Sequence, residues 1–102
     1  MEAMKALADP TRRRLVEILA QGPRSSGELA EQFEVSAPAI SQHLKTLKQA
    51  GLVKVRPEAQ RRIYELEPAG MLELVAWVDQ MRAFWGPRLD ALEDALKRKE
   101  SS

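Results

Sequence analysis

Residues 26–50 constrain the fold of this chain more than any other part of the sequence. Two short amphipathic patterns meet there at the turn Glu34-Val35, and the second pattern places Ile40, Leu44 and Leu47 on one face. Apolar residues spaced by four and three positions are typical of a helix that buries one side. Because the core takes that side, the small and polar residues between them must face outward. The segment therefore predicts a helix-turn-helix whose second helix presents a polar surface.

Local capping residues predict where the helices begin and end. Asp9-Pro10 is typical of a helix start, because the carboxylate accepts from free backbone amides and proline suits the first helical position. Ser25 with Glu28 fits a capping box, and Ser36 is placed to cap the second helix of the motif. Gly51 follows that helix, where a left-handed residue is expected.

A strand pair is predicted directly after this motif. Leu52–Arg56 and Arg62–Leu66 are rich in β-branched and alternating residues, and a loop of about five residues, 57–61, separates them. A helix is then expected from about Ala69 to Trp85, and Gly86-Pro87 predicts a break before a last helix. That last helix is marked by Leu89, Leu92 and Leu96.

The elements together predict a mostly α-helical fold with a small β-hairpin, a winged helix-turn-helix of about five to six helices. The length favours one domain spanning residues 1–102. Within it, residues 26–50 form the helix-turn-helix and residues 52–66 the β-wing. Residues 1–22 and 69–98 are predicted to form the helices that dimerise.

Basic residues are concentrated in the predicted helix-turn-helix and wing. The net charge is only +1, but residues 36–62 carry six lysines and arginines against one acid, and the sequence after them is net acidic. A localised positive region favours a polyanionic partner. Ser41 and Gln42 can hydrogen-bond base edges, whereas Lys45 and Lys48 suit phosphates.

We therefore predict that the partner is double-stranded DNA. An ordinary amphipathic surface helix and an ordinary charged hairpin are the alternatives for these two elements. The predicted contact residues are Ser36, Ala37, Pro38, Ala39, Ser41, Gln42, His43, Lys45, Thr46, Lys48, Arg56, Arg61 and Arg62.

The chain has no cysteine and one histidine, His43. Disulfides, cysteine-based zinc sites and thiol redox chemistry are therefore excluded, and no metal site or cofactor is predicted. For His43 we expect a groove or backbone contact, with a half-buried structural role as the alternative. No catalytic residue is predicted, since the chain has no Gly-rich phosphate loop and no carboxylate pair with a supporting base. Without a long apolar run or a visible signal peptide, we expect a cytoplasmic protein with no membrane partner.

The predicted helix from Ala69 to Trp85 is apolar over close to half of its circumference. A surface helix needs an apolar stripe of about 100°, so this surplus predicts two burial partners, the core and a second subunit. The predicted dimer residues are Met4, Leu7, Met71, Leu74, Val75, Trp77, Val78, Met81, Phe84, Trp85, Leu89, Leu92 and Leu96. The alternatives are a ligand pocket lined by Trp77, Phe84 and Trp85, or a monomeric core.

Four stretches resemble the ArsR/SmtB family of bacterial winged helix-turn-helix repressors. They run from Leu7 to Leu15 (LADPTRRRL), Gly27 to Ala30 (GELA), Ser41 to Val53 (SQHLKTLKQAGLV) and Arg62 to Leu66 (RIYEL). The resemblance implies a homodimeric transcriptional repressor in the bacterial cytoplasm.

The sequence departs from the family pattern in three places. Two of the departures point to the branch of the family that does not sense metals, and the third concerns the wing. Metal sensors of the family often carry a cysteine pair near the stretch 25–30, and others use His and Asp on the dimer helix. Here residues 25–30 contain no cysteine and residues 71–85 contain no histidine. The hairpin tip, residues 57–60, also lacks the glycine common in the family.

Two other functions are weighed against the repressor. A winged-helix protein-interaction module without specific DNA binding is the main alternative. The concentrated positive charge argues against this module, because a protein-binding surface does not require such charge. An enzyme is the weaker one. A small-molecule or protein effector remains open, because no residue pattern identifies it.

Overall fold

The computed structural model of the 102-residue chain describes residues 2–101. The described residues form five α-helices and three short strands. In chain order these are α1 (Glu2–Ala6), α2 (Pro10–Leu19), β1 (Arg24–Ser25), α3 (Ser26–Glu31), α4 (Ala37–Gln49), β2 (Val53–Glu58), β3 (Arg61–Leu66) and α5 (Pro68–Ser101). They fall into two compact units, residues 2–72 and residues 73–101.

The first unit is built around the leucine-rich face that the sequence predicts for α4. Ile40, Leu44 and Leu47 are fully buried, together with Leu15 of α2 and Leu29 of α3. Fully burying one such side chain stabilises a fold by about 1.5–3 kcal/mol relative to leaving it exposed. The prediction of the α4 core face is confirmed.

The predicted caps are also confirmed. Asp9 Oδ2 accepts the backbone N–H of Arg12 at 3.0 Å, and Ser36 Oγ accepts that of Ala39 at 3.2 Å. Ser25 Oγ accepts the Glu28 N–H at 3.1 Å while Glu28 Oε1 accepts the Ser25 N–H at 3.0 Å, which closes the capping box. This hydrogen bond from the Ser25 backbone is the main cause that lowers the pKa of the Glu28 carboxyl.

The sheet differs from the predicted hairpin in two ways. Its order is β1-β3-β2 with antiparallel pairing throughout, and the two-residue strand β1 was not expected because so short a segment has no periodicity to read. The expected five-residue loop is wrong, since pairing continues to Glu58 and Arg61. Only Ala59 and Gln60 lie between the strands, and Ala59 has a φ of 56°, as the first loop position of a type II′ turn requires. Pro57 is tolerated because β2 is an edge strand.

The predicted break at Gly86-Pro87 is also wrong, because α5 continues through Pro87 as one 34-residue helix. A proline inside a helix removes one backbone hydrogen bond and costs about 3 kcal/mol, but it does not forbid the helix. Local contacts support the chain here. Arg88 Nη1 donates to the carbonyl oxygen of Phe84 at 2.8 Å, and its guanidinium lies 4.4 Å from the centre of the Phe84 ring.

A close approach of two backbones fixes the start of α5. A side-chain carbon built at Gly70 would overlap the carbonyl group of Gly51. Gly51 itself has a φ of +79° and ends α4 as the sequence predicts. The glycine at position 70 is therefore required by space rather than by its own backbone angles.

Candidate nucleic-acid interface

The outer face of α4 is a row of small and polar side chains. Ser41, Gln42, Lys45 and Lys48 are exposed, while Ile40, Leu44 and Leu47 between them are buried. At the start of the helix Ser36, Ala37 and Pro38 are exposed and Ala39 is half-buried. Nothing bulky covers this end of α4, so its backbone is open to a close partner. Thr46 is half-buried, and its hydroxyl donates to the carbonyl oxygen of Gln42 at 3.2 Å.

His43 occupies a different position from this row. Its Nδ1 lies 3.3 Å from Arg12 Nη1 and 4.0 Å from Asp9 Oδ2, and its side chain is only 23% exposed. Arg12 also donates to the carbonyl oxygens of Ala6, at 2.5 Å, and Lys5, at 3.4 Å. His43 therefore ties α4 to the junction of α1 and α2. This matches the half-buried alternative, and a DNA contact by His43 stays a prediction without geometric support.

The three arginines predicted for the wing do not lie together. Residues directly opposite in an antiparallel pair share a face, and neighbours along a strand alternate. Since Arg56 pairs with Ile63 and Pro57 pairs with Arg62, Arg56 and Arg62 lie on opposite faces of the hairpin. Arg61, opposite Glu58, shares the face of Arg56.

The cations on the two faces have different electrostatic environments. Arg56 Nη1 lies 3.3 Å from Glu58 Oε2, and Arg56 Nε lies 3.8 Å from Glu65 Oε1. On the same face, Lys54 Nζ lies 3.9 Å from a carboxylate oxygen of both Glu65 and Glu67. On the other face, Arg62 has no carboxylate within ion-pair distance in residues 2–101. The charge of Arg62 is therefore available to an external anion, whereas that of Arg56 is largely compensated.

A cleft of about 390 Å³ lies between α4 and the hairpin. Ser41, Lys45 and Lys48 line it from the helix, and Val55, Arg62 and Tyr64 line it from the strands, with Ser26 at its edge. Sequence reasoning missed three of these residues. The alternation along β3 places Tyr64 on the face of Arg62 and could have identified it. Ser26 and Val55 enter through packing between elements, for which the sequence has no local indication.

Helix α5 exposes most of the residues predicted for a dimer. Val75, Val78, Phe84 and Trp85 are exposed, and so are the leucines at 89, 92 and 96. Met71, Leu74, Trp77 and Met81 are half-buried, as is Leu7, and Met4 is exposed. One side of α5 forms a shallow apolar concavity of about 510 Å³ lined by Trp77, Val78, Met81, Arg82, Trp85 and Leu89. Phe84, which only the alternative of a ligand pocket placed here, lies outside the concavity and packs edge-on against Trp85, with 5.1 Å between ring centres.

Among residues 2–101, no three His, Cys, Asp or Glu side chains are grouped so that they could hold a metal ion. None of the helices in this range is long and apolar enough to cross a membrane.

A short helix, a turn and a second helix with an exposed polar face, followed by a charged β-hairpin, define a winged helix-turn-helix DNA-binding domain. The sequence profile of the family described as "bacterial regulatory protein, arsR family" matches residues 9–55. The chain belongs to this family of bacterial regulators, as the resemblance in its sequence implied. It is a DNA-binding transcriptional regulator, and the family comprises regulators rather than enzymes.

Curated relatives and solved structures agree with this assignment. The HTH-type transcriptional regulator Rv2034 of Mycobacterium tuberculosis is 53% identical over 83 residues, which cover 81% of this chain and 75% of the relative. The transcriptional repressor SdpR of Bacillus subtilis is 36% identical over 72% of this chain and 82% of its own length.

Two solved structures share the fold. The crystal structure of a possible transcriptional regulator for arsenical resistance has a TM-score of 0.80 and 41% identity, covering 93% of this chain and 96% of the other. The homodimeric winged helix-turn-helix DNA-binding domain Mb0332 of Mycobacterium bovis, solved by NMR, has a TM-score of 0.67 and 32% identity, covering 82% and 77%.

Proposed function

We propose that this protein is a homodimeric repressor that binds an inverted-repeat operator in the cytoplasm, where the bacterial chromosome lies. The observation that carries the proposal is the exposed polar row of α4, which continues into Lys45 and Lys48, two cations without a carboxylate partner among the described residues. Ser41 and Gln42 meet base edges in the major groove, and Lys45 and Lys48 meet the flanking phosphates. A dimer bound over a promoter would block transcription.

The dimer is supported by the pattern of α5. Trp85, Leu89, Leu92 and Leu96 follow each other at spacings of four, three and four, which is the spacing of a seam between paired helices. All four are about half exposed in the single chain. A twofold axis would cover this seam with its own copy. Dimeric helix-turn-helix proteins bind half-sites about one helical turn of DNA apart, so we expect half-sites spaced by roughly 10 to 11 base pairs.

DNA recognition is tested with sequences that the purified protein selects from a random duplex pool. We expect an inverted repeat, and we expect Lys45→Ala to weaken binding to every duplex by a similar factor. Gln42→Ala should instead change which bases are preferred, by about 1–3 kcal/mol at one position of each half-site. Gln49→Ala, at the far end of the same helix and outside the predicted contacts, is the matched control. Selection of no preferred sequence at moderate salt would favour the protein-interaction module instead.

The dimer is tested by sedimentation equilibrium. We expect Leu89→Glu combined with Leu92→Glu to give monomers at concentrations where the parent chain is dimeric, because two charges would then have to be buried in the seam. Leu72→Glu is the control, since Leu72 is exposed on the same helix but outside the predicted interface. A dimer that survives the double change would place the interface elsewhere.

We also propose that the regulator belongs to the branch of its family that does not sense metals. The supporting observations are the absence of cysteine from the sequence and the engagement of its single histidine with Arg12. A single imidazole without cysteine supplies too few of the nitrogen and sulfur ligands that zinc and nickel sites use. A thermal melting scan with zinc and nickel should leave the transition unchanged, and a large rise in Tm with either ion would contradict the proposal.

A further inference from the structure

We propose that the cleft between α4 and the hairpin is a phosphate seat that holds one backbone phosphodiester of the operator. The phosphate seat consists of Ser26, Ser41, Lys45, Lys48, Arg62 and Tyr64. The inference rests on the proposed DNA recognition and adds to it a single phosphate, recognised by a defined set of donors from α3, α4 and β3.

The first argument is that every polar side chain of the seat lacks an internal partner. Within residues 2–101, none of the six forms a hydrogen bond or an ion pair with another side chain or with the backbone. The residues that line the cleft include no carboxylate. Six donors without an acceptor thus converge on one space, and an anion is the ligand that satisfies them together.

The second argument is the contrast with the other face of the hairpin. Lys54 and Arg56 are the neighbours of Val55 on β2, and Arg56 is one position from Pro57, the partner of Arg62. The side chains of Lys54 and Arg56 are nevertheless paired with glutamates. On that face two of the three cations, Lys54 and Arg56, are paired with glutamates and Arg61 is not, whereas Arg62 is the only cation of the hairpin face that lines the cleft and has no carboxylate partner in residues 2–101.

The third argument is the position of Tyr64. The residue is only 9% exposed, so its ring belongs to the packed interior. No buried side-chain oxygen in the described residues lacks a partner, so the unpartnered Tyr64 hydroxyl must reach solvent, and the solvent beside it is the cleft. A phenol that is packed into the interior and has no internal partner for its hydroxyl beside a basic cleft is suited to donate to an anion.

The chemistry of the seat fits a phosphodiester. Lys45 and Lys48 are three residues apart on α4 and so lie on the same side of the helix, while Arg62 approaches from the opposite wall. Cations on two sides match the oxygens of a tetrahedral phosphate, and arginine adds a directional fork. Because Gln42 follows Ser41 of the seat directly along α4, a phosphate held there would fix the register of α4 in the major groove.

The test uses the full chain and its selected operator, in which each phosphate in turn is replaced by a neutral methylphosphonate. In the parent protein we expect one position per half-site to weaken binding at least about fivefold. In Arg62→Gln and in Tyr64→Phe the penalty at that same position should become smaller, because one of the donors to that phosphate is already missing. Tyr64→Phe removes only the hydroxyl and keeps the buried ring, so a melting curve close to the parent curve is expected.

Salt dependence supplies a matched control. Arg62→Gln should reduce the slope of log K against log salt by about 0.9, the value for one lost phosphate contact. Lys54→Gln removes a cation from the same hairpin on its paired face and should leave the slope unchanged. Equal reductions in the two variants, or no phosphate position shared by Arg62 and Tyr64, would overturn the phosphate seat.

The failure of the seat can be told from the failure of the proposed function. If the parent protein selects an inverted repeat but no phosphate position responds to both variants, DNA recognition stands and the seat is wrong. If it selects no sequence, the proposed function itself fails. Inorganic phosphate at matched ionic strength should displace the operator no better than chloride. Strong displacement by free phosphate would overturn the proposal in favour of a small-anion effector site.

Discussion

The leucines of α4 and those near the end of α5 have the same chemistry and opposite environments. Leu44 and Leu47 are 0% exposed, whereas Leu89, Leu92 and Leu96 are 54–58% exposed. Residues 2–72 thus complete an interior of their own, while the helix that follows presents its apolar row to solvent. Single exposed apolar residues are normal, but a regular row of them marks an interaction surface. The interior of residues 2–72 is therefore stabilised within the single chain, whereas the apolar row of α5 is available to a partner.

Truncation of one leucine in α4 and of one leucine in α5 should give the largest difference between the two helices. Leu44→Ala should lower the free energy of unfolding by about 2–5 kcal/mol, because a full side chain is lost and a cavity remains. The loss should be the same at every protein concentration. Leu92→Ala should cost little in dilute protein and more in concentrated protein, where a partner covers it. Chemical denaturation at several concentrations measures both, and a concentration-independent loss for Leu92→Ala would break the comparison.

Two glycines of α5 give the next largest contrast. Gly70→Ala should destabilise by about 1–3 kcal/mol, since the added carbon meets the Gly51 carbonyl and the packed backbones must shift. Gly86→Ala should change stability by less than about 1 kcal/mol, because the added carbon meets nothing within 4 Å beyond its chain neighbours and its own helix, and the gain in helix propensity is opposed by the steric restriction that Pro87 places on the preceding residue. Thermal unfolding of both variants is the measurement. A stabilising Gly70→Ala would show that the start of α5 is not held against the end of α4.

The capping box allows a smaller test within the first region. Ser25→Ala removes the oxygen that accepts the Glu28 N–H, and a loss of about 1 kcal/mol is expected. Ser26→Ala is the matched control for stability, because the neighbouring hydroxyl has no internal partner in the described residues. Equal losses in the two serine variants would mean that the reciprocal hydrogen bonds add nothing.

Prediction from the sequence succeeded where the determining contacts are local. The α4 core face and the caps at Asp9, Ser25, Ser36 and Gly51 each depend on residues within about one turn of a helix, and all are confirmed. Gly86-Pro87 is the exception, because a strong local breaker was overridden by helix-forming neighbours on both sides.

Features that depend on strand pairing or on packing between elements could not be predicted from the sequence. The separation of Arg56 from Arg62 follows from strand register, and a slip of one residue would reverse both faces. The extension of the hairpin to Glu58 and Arg61 and the pairing of β1 with β3 likewise require the partner strand. The place of His43 beside Arg12 requires the packing of α4 against α1 and α2. The phosphate seat depends on strand register and on packing between elements. Some of its donors could therefore be predicted from the sequence, but their arrangement around one cleft could not.

The smallest expected effect is a dependence of stability on pH through Asp9. The pKa of this carboxyl is lowered, chiefly by its hydrogen bond from the Arg12 backbone N–H, with burial acting in the opposite direction and the charges of His43 and Arg12 adding to the decrease. In the unfolded chain the carboxyl has its ordinary, higher pKa and therefore binds a proton at a pH where the folded form is still ionised. The stabilisation is thus present above the unfolded pKa and is lost as the pH falls through the folded pKa.

Asp9→Asn isolates this contribution, because asparagine also caps helices well but carries no titrating charge. Near neutral pH the variant should be slightly less stable than the parent chain, and the difference should shrink as the pH is lowered through the acidic range. Asp79→Asn is the control, since Asp79 is exposed on α5 in the second compact unit, residues 73–101. Urea denaturation at a series of pH values measures the difference. If Asp9→Asn and the parent chain lose stability in parallel on acidification, the cap at α2 makes no electrostatic contribution. The acid sensitivity of the first region would then come from its other carboxylates.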